Sequence, residues 1–261
     1  MKWTEIAAGL INKAFGTLMA AFGDRASELI DKLIKDPSVA DRVAKLILNN
    51  GQELSASVTR AKEIMGKNFL GVEEGMKMFG VEITKRQQSF MNTVPFSETT
   101  LTACKDTHIL VAVMPLSIVQ IRAKAAEMKL PKDVKRLFCN QDWYDNQQFA
   151  AQSEFEWRLI QKTSVSDSTS KNWEEQQKLL DTKTEETPTA QAVVYTMIGF
   201  FLKTGERLFE RIYVRTSSLD SDGGRVYVGD FDADGLDVGH DWDYRRGDDL
   251  GVAASRKLEE S

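Results

Sequence analysis

Few residues in this chain are equipped for covalent or acid-base chemistry. Its histidines are His108 and His240 and its cysteines are Cys104 and Cys139, far apart in sequence and in no CxxC or HxxxH spacing. A zinc site would need ligands to converge from distant places, and two cysteines make no disulfide scaffold. General acid-base and nucleophilic mechanisms lean on histidine or an activated thiol. The expectation is therefore a non-enzyme, with no catalytic residue and no cofactor. His240 adjoins Asp241, but no nucleophile stands near in sequence, so the pair reads as solvated loop. One run has ligand spacing: Asp230-Phe231-Asp232-Ala233-Asp234-Gly235 spells DxDxDG, and Asp241 falls at the twelfth position of such a calcium loop. Its flanks have strand rather than helix periodicity, position eight is Asp237 rather than an apolar anchor, and position twelve is Asp rather than Glu. No specific metal site is expected, and a calcium-binding or metal-dependent module stands as the rival reading.

The elements that must position these residues belong to a globular chain of 261 residues, 42% hydrophobic and 28% charged. Thirty-four Lys and Arg against 39 Asp and Glu leave a net charge of −5, which lacks the positive field of a nucleic-acid binder. Asn12 and Lys13 interrupt the apolar run from Ile6 to Gly23, so it does not read as a secretory signal. Ile109–Val113 and Ala192–Leu202 are too short to span a bilayer, which takes about 20 residues. A cytoplasmic chain is expected, with surface or phage association as the other possibility.

The first hundred residues have helical periodicity. Trp3, Ile6, Ala7, Leu10, Ile11, Phe15, Leu18, Met19 and Phe22 fall on one stripe. Gly9, Gly16 and Gly23, seven apart, draw a line along which another backbone could approach, within the chain or in a homo-oligomer, with a membrane-surface face as the other reading. Helices are expected at Ser38–Asn49 and Glu53–Met65, with shorter pieces at Val72–Phe79 and Lys85–Asn92 around the turn-prone Gly80. From Asp106 the pattern changes to a buried strand (Ile109–Val113) and a helix from Ser117 with Ile118, Ile121, Ala125 and Met128 on one side. A loop-rich stretch, Lys129–Phe149, precedes a half-buried strand over Glu154–Thr163. A short helix at Asn172–Leu180 and a long one from Pro188 through Phe209 follow. Short strands separated by Asp-Gly and Gly-Gly turns close the chain: Ile212–Arg215, Arg225–Val228, Leu236–Val238 and Leu250–Val252. They read as an antiparallel meander, with Val226, Val228, Leu236 and Val238 facing a core and Tyr227 and Asp237 facing out.

Between Thr216 and Ser255 there are ten Asp and seven Gly but no Lys, Glu, Gln, Met, Asn, Ile, Cys or Pro. Solubility does not choose Asp over Glu or Arg over Lys. The stretch VRTSSLDSDGGRVYVGDFDADGLDVGHDWDYRRGDDLGVAASRK resembles the C-terminal end of variable proteins of diversity-generating retroelements, and KNFLGVEEGMKMFGVEITKRQQ, THILVAVMPLSIVQIRAKA and LFCNQDWYDNQQFA extend the resemblance upstream. In that family an error-prone reverse transcriptase substitutes residues at template adenines, which yields Asp, Gly, Ser, Tyr, His and Arg but neither Lys, Glu, Gln, Met nor Trp.

The resemblance implies an α+β chain, with a helical N-terminal region (1–103) and a C-type-lectin-like ligand-binding domain (104–261) in which the first and last strands, Ile109–Val113 and Leu250–Ser255, pair. The lectin disulfides and the Glu-Pro-Asn sugar signature are missing, so lectin-type sugar binding is not implied. The variable surface would comprise Asp220, Asp222, Gly224, Tyr227, Asp230, Asp232, Asp234, Asp237, Gly239, His240, Asp241, Tyr244, Arg245 and Asp248. Of these, Asp230, Asp232, Asp234, His240, Tyr244, Arg245 and Asp248 are placed in turns, and Trp143 and Trp242 are read as packing residues. The expected partner is an unknown protein or cell-surface ligand. A structural helical oligomer or phage-particle component is the third reading.

Overall fold

The structure is a computed structural model that describes residues 55–132 and 134–258. The stripe from Trp3 to Phe22, the glycine line and the helix at Ser38–Asn49 lie outside the described residues. The chain divides into two compact units at Leu54/Ser55, so the boundary expected at 103/104 falls inside the second unit.

That unit is mixed α+β. It opens with β1 (Ser55–Ser57) and α1 (Val58–Met65), where the Ser57 hydroxyl accepts from the Arg60 amide. The helix expected from Glu53 thus starts at Val58, because Ala56 is paired in a sheet with Val94. Next come β2 (Phe69–Leu70) and α2 (Val72–Phe79), stopped by Gly80 at φ 57°, ψ 43°, the left-handed turn that glycine takes without steric cost. A capping box between Thr84 and Gln87 starts α3 (Lys85–Phe90), and β3 (Thr93–Ser97) and α4 (Glu98–Cys104) follow.

β4 (His108–Val113) is buried throughout, and a second capping box, Ser117 with Gln120, starts α5 (Ile118–Ala126), which buries Ile118, Ile121 and Ala125. After α6 (Gln148–Ala151) and β5 (Glu156–Gln161), a third box, Asn172 with Glu175, starts α7 (Trp173–Gln177). β6 (Glu185–Glu186) leads to α8 (Ala190–Thr204), capped by the Thr189 hydroxyl. This helix ends at Thr204 rather than Phe209, because Gly205 takes the left-handed conformation. Every residue from Ala190 to Phe201 is buried, as in a helix covered on all sides rather than along one stripe. The chain closes with β7 (Tyr213–Leu219), β8 (Arg225–Asp232), β9 (Gly235–Asp241), β10 (Leu250–Val252) and β11 (Ser255–Arg256).

Among the described residues three sheets result: β1-β3, the four-stranded β10-β7-β8-β9 and the five-stranded β2-β4-β5-β11-β6. The expected pairing of Ile109–Val113 with Leu250–Ser255 does not occur. Both edges of β4 are taken, by β2 in parallel and by β5 antiparallel (Ile109 opposite Ile160). The last segment instead divides between two sheets. β10 runs parallel to β7, with Leu250 opposite Tyr213, so the closing sheet is not wholly antiparallel. β11 crosses over and pairs antiparallel with β5 and β6. One large core joins α8, β4, α5 and the inner faces of β7–β9, and a second holds Phe96, Leu101, Leu110 and Trp157. Among the described residues no helix is long and apolar enough to cross a membrane.

Candidate ligand-binding surface

Period two sorts the strands of the four-stranded sheet. Val214, Val226, Val228, Leu236 and Val238 are fully buried against the core, and the opposite face carries Tyr213, Arg215, Arg225, Tyr227, Asp237, Gly239 and Asp241. The register stacks them in rows: Tyr213–Gly229–Asp237, Arg215–Tyr227–Gly239, and Arg225–Asp241. Tyr213 and Tyr227 pack edge to face, centroids 5.0 Å apart. Tyr227 leans into the space that Gly239 leaves, since a Cβ there would collide with its ring. The Tyr213 hydroxyl donates to Asp237 (3.1 Å) and Asp230 (3.3 Å). Burial and the neighbouring carboxylates, Asp237 foremost, push both phenols above the ordinary tyrosine range, Tyr213 well above it. Arg225 lies over the Trp173 ring at 3.8 Å and holds Asp243 with two bonds of 2.9 and 3.0 Å.

The sequence-predicted surface residues divide into several kinds. Asp222, Asp234, His240, Tyr244, Arg245 and Asp248 are exposed, and Tyr227, Asp230, Asp232, Asp237, Gly239 and Asp241 are half-buried on or beside the outer face. Asp220 and Gly224 do not belong with them. The Asp220 carboxylate is almost wholly buried and accepts the amides of Asp222 (2.9 Å) and Gly224 (2.8 Å), which makes it the clasp of the β7–β8 turn, and Gly224 lies buried beneath it. Asp220 also pairs with Nδ1 of His240, whose ring stacks on Trp143 (centroids 4.6 Å). Asp230, Asp232 and His240 lie in strands rather than turns. Trp143 packs as expected and donates to the Val238 carbonyl at 2.8 Å. Trp242 does not pack as expected, because the turn after β9 turns it outward and leaves it 49% exposed.

The DxDxDG run is a β-hairpin. The Asp232 carboxylate accepts the Asp234 amide (2.7 Å), Asp234 pairs with Lys135 (3.0 Å), and Asp230 takes the Tyr213 hydroxyl, so the carboxylates have separate partners. Gly235, at φ 107°, lets the tip press against the backbone of Phe138 and Cys139, where a side chain would collide. No group of three or more His, Cys, Asp or Glu among the described residues is arranged to hold a metal ion. A groove of about 870 Å³ between α5 and residues 128–142 includes Arg122, Lys135, Arg136 and Cys139 in its lining. Arg122 and Lys135 are spent on Asp145 and Asp234. Burial and nearby aspartates, Asp237 first, raise the Cys139 thiol above its usual range, which does not suit a nucleophile.

Sequence reasoning missed the residues that hold this surface from behind. Gln141 accepts the Val238 amide (3.1 Å) and bonds Asp237. Cys139 donates its amide to Leu236 O, and Leu236 its amide to Leu137 O. The amides of Trp173, Ser170 and Tyr213 reach the carbonyls of Asp243, Gly247 and Asp249. Arg215, on the outer face by parity, is fully buried. Its position between Val214 and Thr216 gave no hint of this, since the segments that cover it are remote in sequence.

No protein-family model matches the chain, and neither a curated protein nor a solved structure is similar to it. The functional reading therefore rests on this geometry and on the composition of the segment.

Proposed function

We propose that residues 55–258 form a non-enzymatic binding module whose outer β7–β9 face and following turn present a diversified Asp/Tyr/Ser/Arg surface to a protein or cell-surface ligand. In this reading the layout is C-type-lectin-like and the segment from Thr216 to Ser255 is the variable end of a retroelement-diversified protein. One observation carries it: the surrounding residues grip the segment mainly by its backbone. Trp143, Gln141, Leu137, Cys139, Ser170, Trp173 and Tyr213 all meet main-chain atoms of Leu236, Val238, Asp243, Gly247 or Asp249. Main-chain amides and carbonyls are present whatever residue stands there, so side chains can change without loosening the hold. The residue bias supports the same reading, since small groups and rigid amphipathic rings suit recognition surfaces.

The test is a library randomised at Tyr227, Asp241, Trp242, Tyr244, Arg245 and Asp248, displayed and sorted for protease resistance. Most members should stay folded, and selection against a panel of proteins should return binders. A library that is mostly unfolded would refute the reading.

A further inference from the structure

Arg215 of β7 is the largest fully buried side chain among the described residues. Its guanidinium is fully buried, with Nη1 on Lys171 O (3.1 Å) and Gln176 Oε1 (3.0 Å) and Nη2 on Arg245 O (2.7 Å) and Trp242 O (3.5 Å). Its Nε finds no acceptor among the described residues, and Asp243 and Asp241 act on it only through space. Gln176, equally buried, uses its amide nitrogen on Ser168 O (2.8 Å) and Leu250 O (3.0 Å). Arg215 and Gln176 thus bind five main-chain carbonyls drawn from residues 168–171, 242–245 and 250.

A buried guanidinium without a carboxylate partner is costly, and an apolar side chain of similar volume would often serve stability as well or better. What an apolar residue cannot do is hold carbonyls at fixed positions. Trp242 and Arg245 bracket the turn that carries the most exposed aromatic side chain of the region, Tyr244 at 75%. Within it the Arg245 amide closes on Trp242 O at 3.0 Å, the bond of a single turn. A turn of this kind has few apolar anchors and would otherwise sample several shapes.

We propose that Arg215 is a positioning residue: with Gln176 it fixes the shape of the 242–247 turn through carbonyl groups, so that this shape is the same whatever side chains stand at positions 242, 244 and 245. The purpose of such a lock rests on the binding-module reading, whereas its existence does not. A pre-shaped turn loses less entropy on binding, which raises affinity without any new contact.

The test is native-state amide hydrogen exchange on the full chain, with no ligand. The reporters are the amides of Arg245, Ser170 and Trp173, and the amides of β4 are the internal reference. In Arg215→Met the reporters should exchange at least about tenfold faster relative to β4, in keeping with loss of charged hydrogen bonds. Arg215→Lys keeps the charge without the fork and should fall between; it also decides the matter if the Met variant does not fold. The triple variant Trp242→Ser, Tyr244→Ser, Arg245→Ser should stay within about threefold of the parent. The proposal is overturned if the Met variant keeps the reporters protected, if the Lys variant speeds β4 and the reporters alike, or if the triple variant frees the turn. Failure of the binding-module reading would appear instead in the library experiment, with these exchange rates unaffected.

Discussion

Replacing Leu236 by Ala, and separately Trp242 by Ala, sets the framework of β9 against the surface that follows it. Leu236 is fully buried while its amide and carbonyl bond to the backbone at Leu137 and Cys139, so truncation keeps the strand in place and removes only packing. A buried Leu→Ala change costs about 2–5 kcal/mol, because the cavity adds to the lost transfer energy. In a unit of this size each kcal/mol moves the melting temperature by roughly 2–4 °C, so a mid-range loss of about 3 kcal/mol lowers it by roughly 6–12 °C. Trp242 is 49% exposed, and its backbone carbonyl and amide keep their bonds to Arg215 and to the Asp241 carboxylate after truncation. Surface changes of this kind stay within about 0.5 kcal/mol, a shift of no more than about 2 °C. Thermal melts followed by near-ultraviolet circular dichroism report both. Equal destabilisation by the two variants would refute the assignment of inner and outer positions.

The remaining expectations follow from the same geometry. For binding, the order should invert: Tyr227→Ala, Trp242→Ala, Tyr244→Ala and Arg245→Ala should each weaken capture of a selected partner, since Tyr, Trp and Arg dominate such surfaces; surface plasmon resonance checks this, and retention of full affinity by all four speaks against the surface. Burial first and Arg256 second lower the His108 imidazole to about 4, so the folded state holds it neutral. Its contribution is complete above pH 6.5 and is lost as pH falls towards 4, by at most about 3 kcal/mol. Urea titrations from pH 7 to 4 should show that loss, with His108→Gln flattening the slope; an unchanged slope contradicts the neutral buried imidazole. Calcium should leave the melting temperature unmoved, because the carboxylates of Asp230, Asp232 and Asp234 have separate partners. Stoichiometric binding tighter than about 10⁻⁵ M that disappears in Asp232→Ala would overturn this. If the bias of the segment is templated, a reverse-transcriptase gene and a near-copy of the gene's 3′ end differing at adenines should lie beside it, and a complete genome lacking both excludes active diversification.

Local signals located most elements and failed where distant segments decide. The spacing of Ile118, Ile121 and Ala125 predicts α5, a short helix is expected where α7 forms, and α2 falls at Val72–Phe79 beside the turn-prone Gly80. Alternation predicts the inward valines of β8 and β9. It does not determine which strands neighbour one another: β4 and β10 are both short and apolar yet lie in different sheets, and β11 (Ser255–Arg256), which joins β5 and β6, has no apolar pattern at all. Trp242 misled for the opposite reason. A large aromatic side chain is usually buried, but this one follows the end of β9, where the turn reverses its direction. The outer-face list was legible in type but not in role, since a short carboxylate reads alike whether it clasps a turn, as Asp220 does, or faces water, as Asp222 does.

That distinction separates a genetic filter on this segment from a chemical one. A chemical filter for recognition should place Asp where it meets solvent. Here Asp220 and Asp243 serve the scaffold, one closing a turn through two amides and the other clamped by Arg225 over Trp173. Asp222, Asp248 and Asp249 are exposed and form no ion pair among the described residues, while Asp230 and Asp237 share one tyrosine hydroxyl. The same residue type thus occupies positions with nothing in common physically, which chemistry of the surface does not account for by itself. A process acting on codons, with folding removing only the changes that break a clasp, would leave this mixture. It would also favour a scaffold that reaches backbone, as Arg215 does at the carbonyls of Trp242 and Arg245 and as Trp143 and Gln141 do at Val238 beside their contacts with His240 and Asp237.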